Sequence, residues 1–534
     1  MTAASTQRVA DIPENLAFAF ERACMAHAGD VAFSCFGHET SFAQLEAATR
    51  RCAAFFSSRL GLRKGDRIAI QLPSITQYPV AAWGAIRAGL TIVNTNPMYT
   101  ERELHHQLSD SGARAIVLLG GAVESMAAIA ARTDVEHILV VGPREAGNAQ
   151  IPTHGAVLNT FALDEIIFGS SVDLLPDIEI SMEDIAVLQY TGGTTGVAKG
   201  CMLSHGNVYA SYTQLSEAIP PHPTKRSIMI APMPLYHVYG FQTNVVSFLL
   251  GGGMSVLVPD PRNLGSVIEA MRAYPFTHLA GVNTLLNGLM RHPDFDTVDF
   301  SHADYTFAGG TALARSVARE WYKRTGVHVY EGYSMSETSS ALCLNTQEHR
   351  ELGTVGRPHS ATEVKLATPV SVDATAEPRG ELLVRGPQVM QGYWQRPDAT
   401  AETIDGEGWL HTGDIAVIQD NGFVRIVDRL KDLVLVSGFN VYPNEIEAVI
   451  ASHPEVIDCA AIGVPDEQTG EAVKVFLSST NDALSAADIR EFCRTQLTAY
   501  KVPKHVEFLS ELPKSPAGKI LRRELREMSR NTRN

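Results

Sequence analysis

Residues 190–200, Tyr190-Thr191-Gly192-Gly193-Thr194-Thr195-Gly196-Val197-Ala198-Lys199-Gly200, concentrate the groups that bind a polyphosphate. Glycines at 192, 193, 196 and 200 let backbone N–H groups approach a ligand closely, threonines 191, 194 and 195 add hydroxyl donors, and Lys199 adds a positive charge. Spacing excludes a Walker loop: neither Gly192 nor Gly193 has Gly-Lys at the required offset, and Gly200 follows the lysine where Ser or Thr is needed. A Gly/Thr-rich loop is also an ordinary surface connection, so the reading needs partners elsewhere.

Several stretches offer them. In 307–312 the pair Gly309-Gly310, followed by Thr311, allows backbone to lie flat against a ligand or simply to turn from strand to helix. Within Tyr330-Glu331-Gly332-Tyr333-Ser334-Met335-Ser336-Glu337-Thr338, Tyr333 can stack on a purine, Ser336 can donate to a phosphate and Glu337 can hold a hard divalent cation. Asp414 closes Gly408-Trp409-Leu410-His411-Thr412-Gly413-Asp414, and Arg429 follows fifteen residues later, a carboxylate and a guanidinium able to grip a diol together. His237 lies in an apolar run, 233–240, where a histidine is more often a hydrogen-bonded core residue than a functional one.

The elements that position these groups are legible from periodicity. The 190–200 stretch is a loop between a strand-like run at 185–190 and an apolar segment at 201–204, with a helical pattern from about His205. Before it, helical patterns at 43–60, 78–89 and 101–111 alternate with strand-like runs at 67–72, 90–93, 115–119 and 138–141, which predicts an α/β layer with largely parallel pairing. Residues 143–159 read as a loop excursion. From about 363 to 427 the texture changes to short strands, such as 381–384 and 423–426, predicting a small β-rich subdomain; beyond 429–432 come short α/β units. The domain boundary is placed there, giving a 1–428 unit and a 433–534 unit.

With 534 residues and a formal net charge of −15, the chain suits several cores and is ill suited to nucleic acid, although residues 501–534 carry nine Lys/Arg against four Glu. Seven scattered cysteines without C-x-x-C spacing indicate neither a disulfide framework nor a zinc site, and fit a reducing cytoplasm. The N-terminus has no apolar run of signal-peptide length, and export is not expected. The charge-free stretch 227–259 is broken by Pro232, Pro234 and Gly251-Gly252-Gly253, so it reads as core or as the wall of an apolar tunnel and not as a membrane span.

In order and spacing these motifs resemble those of the adenylate-forming superfamily of acyl- and aryl-CoA synthetases, peptide-synthetase adenylation domains and beetle luciferases. The likeness covers nearly the whole chain and is closest to bacterial long-chain fatty acyl-CoA synthetases, with 93–100, 281–285 and 386–394 reading like that subgroup. The resemblance implies an α/β fold: a large N-terminal domain of α/β subdomains with a β-rich subdomain, and a smaller mobile α+β C-terminal domain. It implies a fatty acid–CoA ligase using ATP, Mg²⁺ and coenzyme A. Lys519, in Pro513-Lys514-Ser515-Pro516-Ala517-Gly518-Lys519, takes the catalytic position, Glu337 holds the metal, and His237 gates the acyl pocket. Thr191, Gly192, Gly193, Thr194, Thr195, Gly196, Lys199, Gly309, Gly310, Thr311, Glu331, Gly332, Tyr333, Ser336 and Ile426 fall at nucleotide positions. Asp414 and Arg429 form the ribose clamp, Lys431 the hinge, and Gly438 and Phe439 border the pantetheine channel. Ser334 and Ser336 stand where the family commonly has Gly and Thr. Two rivals share the nucleotide motifs: an enzyme for aryl or short acids or for a carrier-protein phosphopantetheine, and a catalytically silent sensor. The resemblance is also compatible with a homodimer and with peripheral contact at the inner membrane face.

Overall fold

A computed structural model describes residues 15–142, 159–169, 175, 177–191, 198–220, 222, 224–368, 377–515 and 518–531. The excursion expected at 143–159 falls almost entirely outside them. In the first sheet, Asn159–Ala162, His137–Val141, Ala113–Leu119, Arg67–Gln71, Thr91–Asn94 and Ile185–Thr191 lie side by side and parallel. Lys199–Ser204 then closes the edge antiparallel to Ile185–Thr191. Thr91–Asn94 and His137–Val141 are buried along their whole length, as parallel strands covered on both faces must be.

The covering helices begin and end on local signals. Phe42–Ser58 starts at a capping box between Ser41 and Gln44, and Glu101–Ser111 at one between Thr100 and Glu103. The latter stops at Gly112, whose φ of 61° is left-handed, and buries Leu104, Gln107, Leu108 and Ser111, one stripe of its surface.

The second sheet carries the site. Its middle strands, Tyr305–Ala308, His278–Gly281, Ile228–Ala231 and Met254–Leu257, are parallel, and Val329–Met335 extends them before pairing antiparallel with Ser340–Leu344. The stretch 227–259 contributes two of these strands and the π-helical segment Phe241–Ser247, which packs against the helix His205–Ala218. Among the described residues no helix is long and apolar enough to cross a membrane. All seven cysteines are buried and unpaired.

Glu363–Leu366, Gly380–Arg385, Leu410–Ile418 and Val424–Arg429 form a four-stranded antiparallel sheet over a core of Leu382, Val384, Ala416 and Val424. Residues 434–531 build another sheet with its own core around Val434, Ile446, Val475 and Ile489. Polar contacts fasten it to what precedes. Asp428 accepts from the Asn444 backbone N–H at 2.8 Å and Arg526 reaches Asp432 at 2.6 Å, while inside the sheet's own body Arg522 forks onto Glu447 at 2.7 and 2.8 Å.

Candidate active site

Strand Tyr305–Ala308 ends in Gly309-Gly310-Thr311, and this corner organises the site. The Gly309 N–H donates to Gly281 O at 3.2 Å, and a Cβ on Gly309 would meet the Tyr239 ring at 3.6 Å. Gly310 has a φ of +77°, in the region that favours glycine, and a Cβ there would sit 3.4 Å from Lys519 Cε. Thr311 Oγ1 is buried without a hydrogen-bond partner among the described residues.

Lys519 arrives on the last loop of the chain. The Ser515 N–H donates to Lys519 O at 2.7 Å, the Lys519 N–H to Ser515 Oγ at 3.1 Å, and Lys514 bridges Ile520. Thr284 Oγ1 donates to Gly518 O at 3.3 Å, docking the loop on the helix Asn283–Arg291. Enclosure pushes the Lys519 amine down to about 8; Arg429 adds to the fall, while Asp414 and Glu337 oppose it.

Asp414 and Arg429 are directly paired across the strands Leu410–Ile418 and Val424–Arg429, with Arg429 Nε 3.3 Å from Asp414 Oδ1. The Tyr333 hydroxyl donates to the other carboxylate oxygen. Burial raises the Asp414 carboxyl, against the pull of Arg429, Tyr333, Lys431 and Lys519. Burial also raises the Tyr333 hydroxyl, and Asp414 adds to the rise. Ile426 is half-buried in the same strand as Arg429, and Lys431 lies in the turn Leu430–Asp432.

Glu337 sits with Ser336 in the short turn Ser336–Thr338, where Tyr393 Oη donates to Glu337 Oε1 at 2.8 Å. The Lys199 ammonium stands 4.8 Å from the centre of the Tyr393 ring. Thr191 and Lys199 face each other at the base of the loop between antiparallel strands. Gly192, Gly193, Thr194, Thr195 and Gly196 lie outside the described residues. Glu331 is buried, accepts from the Leu313 N–H at 3.1 Å, and is pushed up to about 7 by burial. A Cβ on Gly332 would meet Leu344 at 2.9 Å.

His237 is half-buried, its Nδ1 accepting from the Tyr239 N–H at 3.3 Å. Burial, with Lys519 adding to the effect, pushes it down to about 3, so it stays neutral. Behind this corner opens a cavity of about 930 Å³, mouth included, walled by Tyr239, Phe248, Phe307, Tyr330 and Leu344 among others. Among the described residues no charged side chain lines it.

The structure therefore brings Lys519, Gly310, Asp414, Arg429, Tyr333, Glu337 and His237 to one corner. Gly438 and Phe439 stand apart. They turn a hairpin through left-handed Ser437 and Gly438, with Phe439 stacked on Tyr500 at 4.9 Å and open space around Gly438. Tyr393, Thr284 and Ser515, which hold Glu337 and the Lys519 loop, were not singled out by sequence reasoning. Each lay inside a stretch that the resemblance covers: Tyr393 in 386–394, Thr284 in 281–285 and Ser515 in the 513–519 run.

The profile of the AMP-binding enzyme family matches residues 20–394, and that of the AMP-binding enzyme C-terminal domain matches residues 445–519. A long-chain-fatty-acid–CoA ligase of Escherichia coli O157:H7 is 43% identical over 97% of this chain and 95% of its own length. Its counterpart from Haemophilus influenzae is 40% identical over 96% and 94%. The crystal structure of ATP-bound MatB from Rhodopseudomonas palustris superposes with a TM-score of 0.84 at 29% identity, covering 97% of this chain and 100% of that one. With a family profile spanning most of its length and such relatives end to end, the chain belongs to the AMP-binding enzyme family.

Proposed function

We propose that the protein is an ATP-dependent fatty acid–CoA ligase. It joins a medium- to long-chain fatty acid to CoA through an acyl-adenylate, releasing AMP and diphosphate. The observation that carries the reading is the delivery of Lys519 to Gly310, at the head of a cavity with no charged lining. A carboxylate held at that head has hydrocarbon space behind it and an ammonium in front. The relatives named as long-chain-fatty-acid–CoA ligases support the same reading.

In the first half-reaction the fatty carboxylate attacks the α-phosphorus of ATP and diphosphate leaves. Negative charge gathers on the α-phosphoryl oxygens, and Lys519 meets it with a positioned cation. Asp414 accepts from the ribose hydroxyls, Arg429 reinforces it, and Tyr333, anchored to Asp414 by its hydroxyl, offers its ring to adenine. Residues 191–199, with Thr311, Ser336 and Lys199, hold the phosphates. Neutral His237 shapes the acyl entrance without drawing the carboxylate away from Lys519.

Among the described residues no three His, Cys, Asp or Glu cluster as a metal cage. A single carboxylate, Glu337, with one oxygen bonded to Tyr393, suits Mg²⁺, which takes few protein ligands and shares phosphate oxygens. Bound there, the ion supplies charge neutralisation across the phosphates.

In the second half-reaction we assign residues 433–534 a rotation about Lys431, within the hinge 429–432, relative to residues 1–428 and their β-rich part at 363–428. The rotation withdraws Lys519 and brings Gly438 and Phe439 to the site. The CoA thiolate then attacks the acyl carbonyl and AMP leaves. Separating the steps keeps water from the mixed anhydride. We place the protein in the cytoplasm, meeting its lipid substrate peripherally at the inner membrane face, as a homodimer; sedimentation with and without vesicles tests both assignments.

The deciding experiment is AMP and diphosphate release with Mg-ATP, with and without CoA, over straight-chain acids from acetate to oleate plus benzoate and a cinnamate. CoA-dependent turnover peaking on medium or long chains is expected. A peak on acetate or the aryl acids, or adenylate that never reacts with free CoA, overturns the assignment.

A further inference from the structure

The far half of the cavity is not a plain hydrocarbon sleeve. His278 opens the strand His278–Gly281, and its ring lines the cavity, wedged between the edge of Phe248 at 5.0 Å and the face of Tyr305 at 5.0 Å. Its Nδ1 is 2.7 Å from Thr277 Oγ1. The only hydrogen bond of the ring to protein among the described residues is this one at Nδ1, which leaves Nε2 without a protein partner. Thr243 and Ser247, on the π-helical segment opposite, place hydroxyl-bearing side chains in the same space. Burial pushes the imidazole down to about 3, so what it offers is a neutral hydrogen-bonding atom.

We propose that, granted fatty acid–CoA ligation, this pocket selects acids carrying a hydroxyl along the chain, with His278 Nε2 as the atom that holds it. Position argues for the chain and not the carboxylate. His278 and Gly281 are three residues apart, roughly 10 Å at the rise of a strand, and Gly281 O is the acceptor for Gly309 at the reacting end. A hydroxyl there falls near the middle of a long acid. The identity of the oxygen follows from the imidazole. Thr277 Oγ1 lies 3.1 Å from Ile228 O as well as 2.7 Å from Nδ1, so its single proton can go either way and both ring tautomers are open. A hydroxyl donates and accepts and fits both, whereas an oxo oxygen only accepts. A second carboxylate is disfavoured because the lining holds no cation among the described residues.

The test uses the full-length protein and a dodecanoate series bearing one hydroxyl at successive mid-chain or terminal positions, with dodecanoate and a matching mid-chain oxo acid as controls. The preferred mid-chain hydroxy acid should exceed dodecanoate in kcat/KM by about tenfold, the scale of one net hydrogen bond. His278→Phe should erase the ratio and His278→Gln should keep part of it. The ratio within each variant is the readout, so a general loss of activity does not mimic the effect. Calorimetric binding of the same acids without ATP gives the same ranking independently of turnover. Equal kcat/KM and equal Kd for hydroxy and plain acids in the natural protein overturn the inference while leaving ligation intact. A preference for the oxo acid equal to that for the hydroxy acid overturns the hydroxyl assignment. Selective binding of the hydroxy acid without turnover of any acid supports the pocket assignment and defeats the ligase reading.

Discussion

At the Lys519 end of the cavity the polar groups hold one another: Tyr333 and Arg429 fix Asp414, Tyr393 fixes Glu337, and Ser515 fixes the backbone of Lys519. At the His278 end the wall is set by packing, with aromatic rings from several elements and few polar atoms engaged. The difference shows how such a protein divides its labour. Reactive charge is placed by short-range hydrogen bonds that tolerate little displacement, while the organic substrate meets a surface that can vary without disturbing them.

The widest separation between the two ends is expected from Lys519→Ala. It should lower adenylation about a hundred- to a thousandfold, as loss of one preorganised charge donor does, and spare the thioester step from supplied acyl-adenylate. Diphosphate exchange and CoA-dependent consumption of the adenylate read the two steps, and equal losses in both would break the assignment of separate conformations. Asp414→Ala should raise KM for ATP about ten- to a hundredfold, because a charge-assisted contact is lost and Tyr333 and Arg429 are left unpaired. The KM for the fatty acid should stay put; movement of both together would mean the two ends are not independent.

That contrast also explains what could be read from sequence. The Gly309-Gly310 corner, Tyr333, Glu337, Asp414 and Lys519 lie in short runs whose residue types state their chemistry, and the turns that present them are local. His278 is a lone histidine in an apolar strand, and Thr243 lies on a π-helical segment that no periodicity announced. Their shared cavity exists only once strands, helix and π-segment are assembled. The Arg522 contacts to Glu447 and Asp432 likewise join residues far apart in sequence.

A smaller effect sharpens the comparison through pH. The Lys519 amine titrates near 8, and it must be protonated to meet phosphoryl charge. The kcat/KM for ATP, which reports the free enzyme, should therefore fall as pH rises through about 8. Lys519→Arg, whose guanidinium keeps its proton, should show no such fall even if its overall rate is low.

The smallest expected effect is on stability. Buried His205, His278 and His359 and half-buried His237 are held at about 4, 3, 4 and 3. Unfolding frees them to take up protons below about 6.5, so they cost stability as pH falls through that value. Glu331 and Asp428, both pushed up to about 7, act in the opposite sense, because the folded chain binds their protons first. Four imidazoles outweigh two carboxyls, so Tm should be nearly level around neutrality and drop below about 6.5. A Tm that rises on acidification would show that the carboxyls dominate.

The reciprocal bonds between Ser515 and Lys519 have a kinetic consequence. Ordering one residue's backbone costs about 1–2 kcal/mol in entropy, and at this loop that cost is met when the chain folds, before any substrate arrives. Under the rotation proposed for residues 433–534, Lys519 would therefore enter and leave the site with its backbone already tied to Ser515, and the time taken would be set by the swing of the body that carries it.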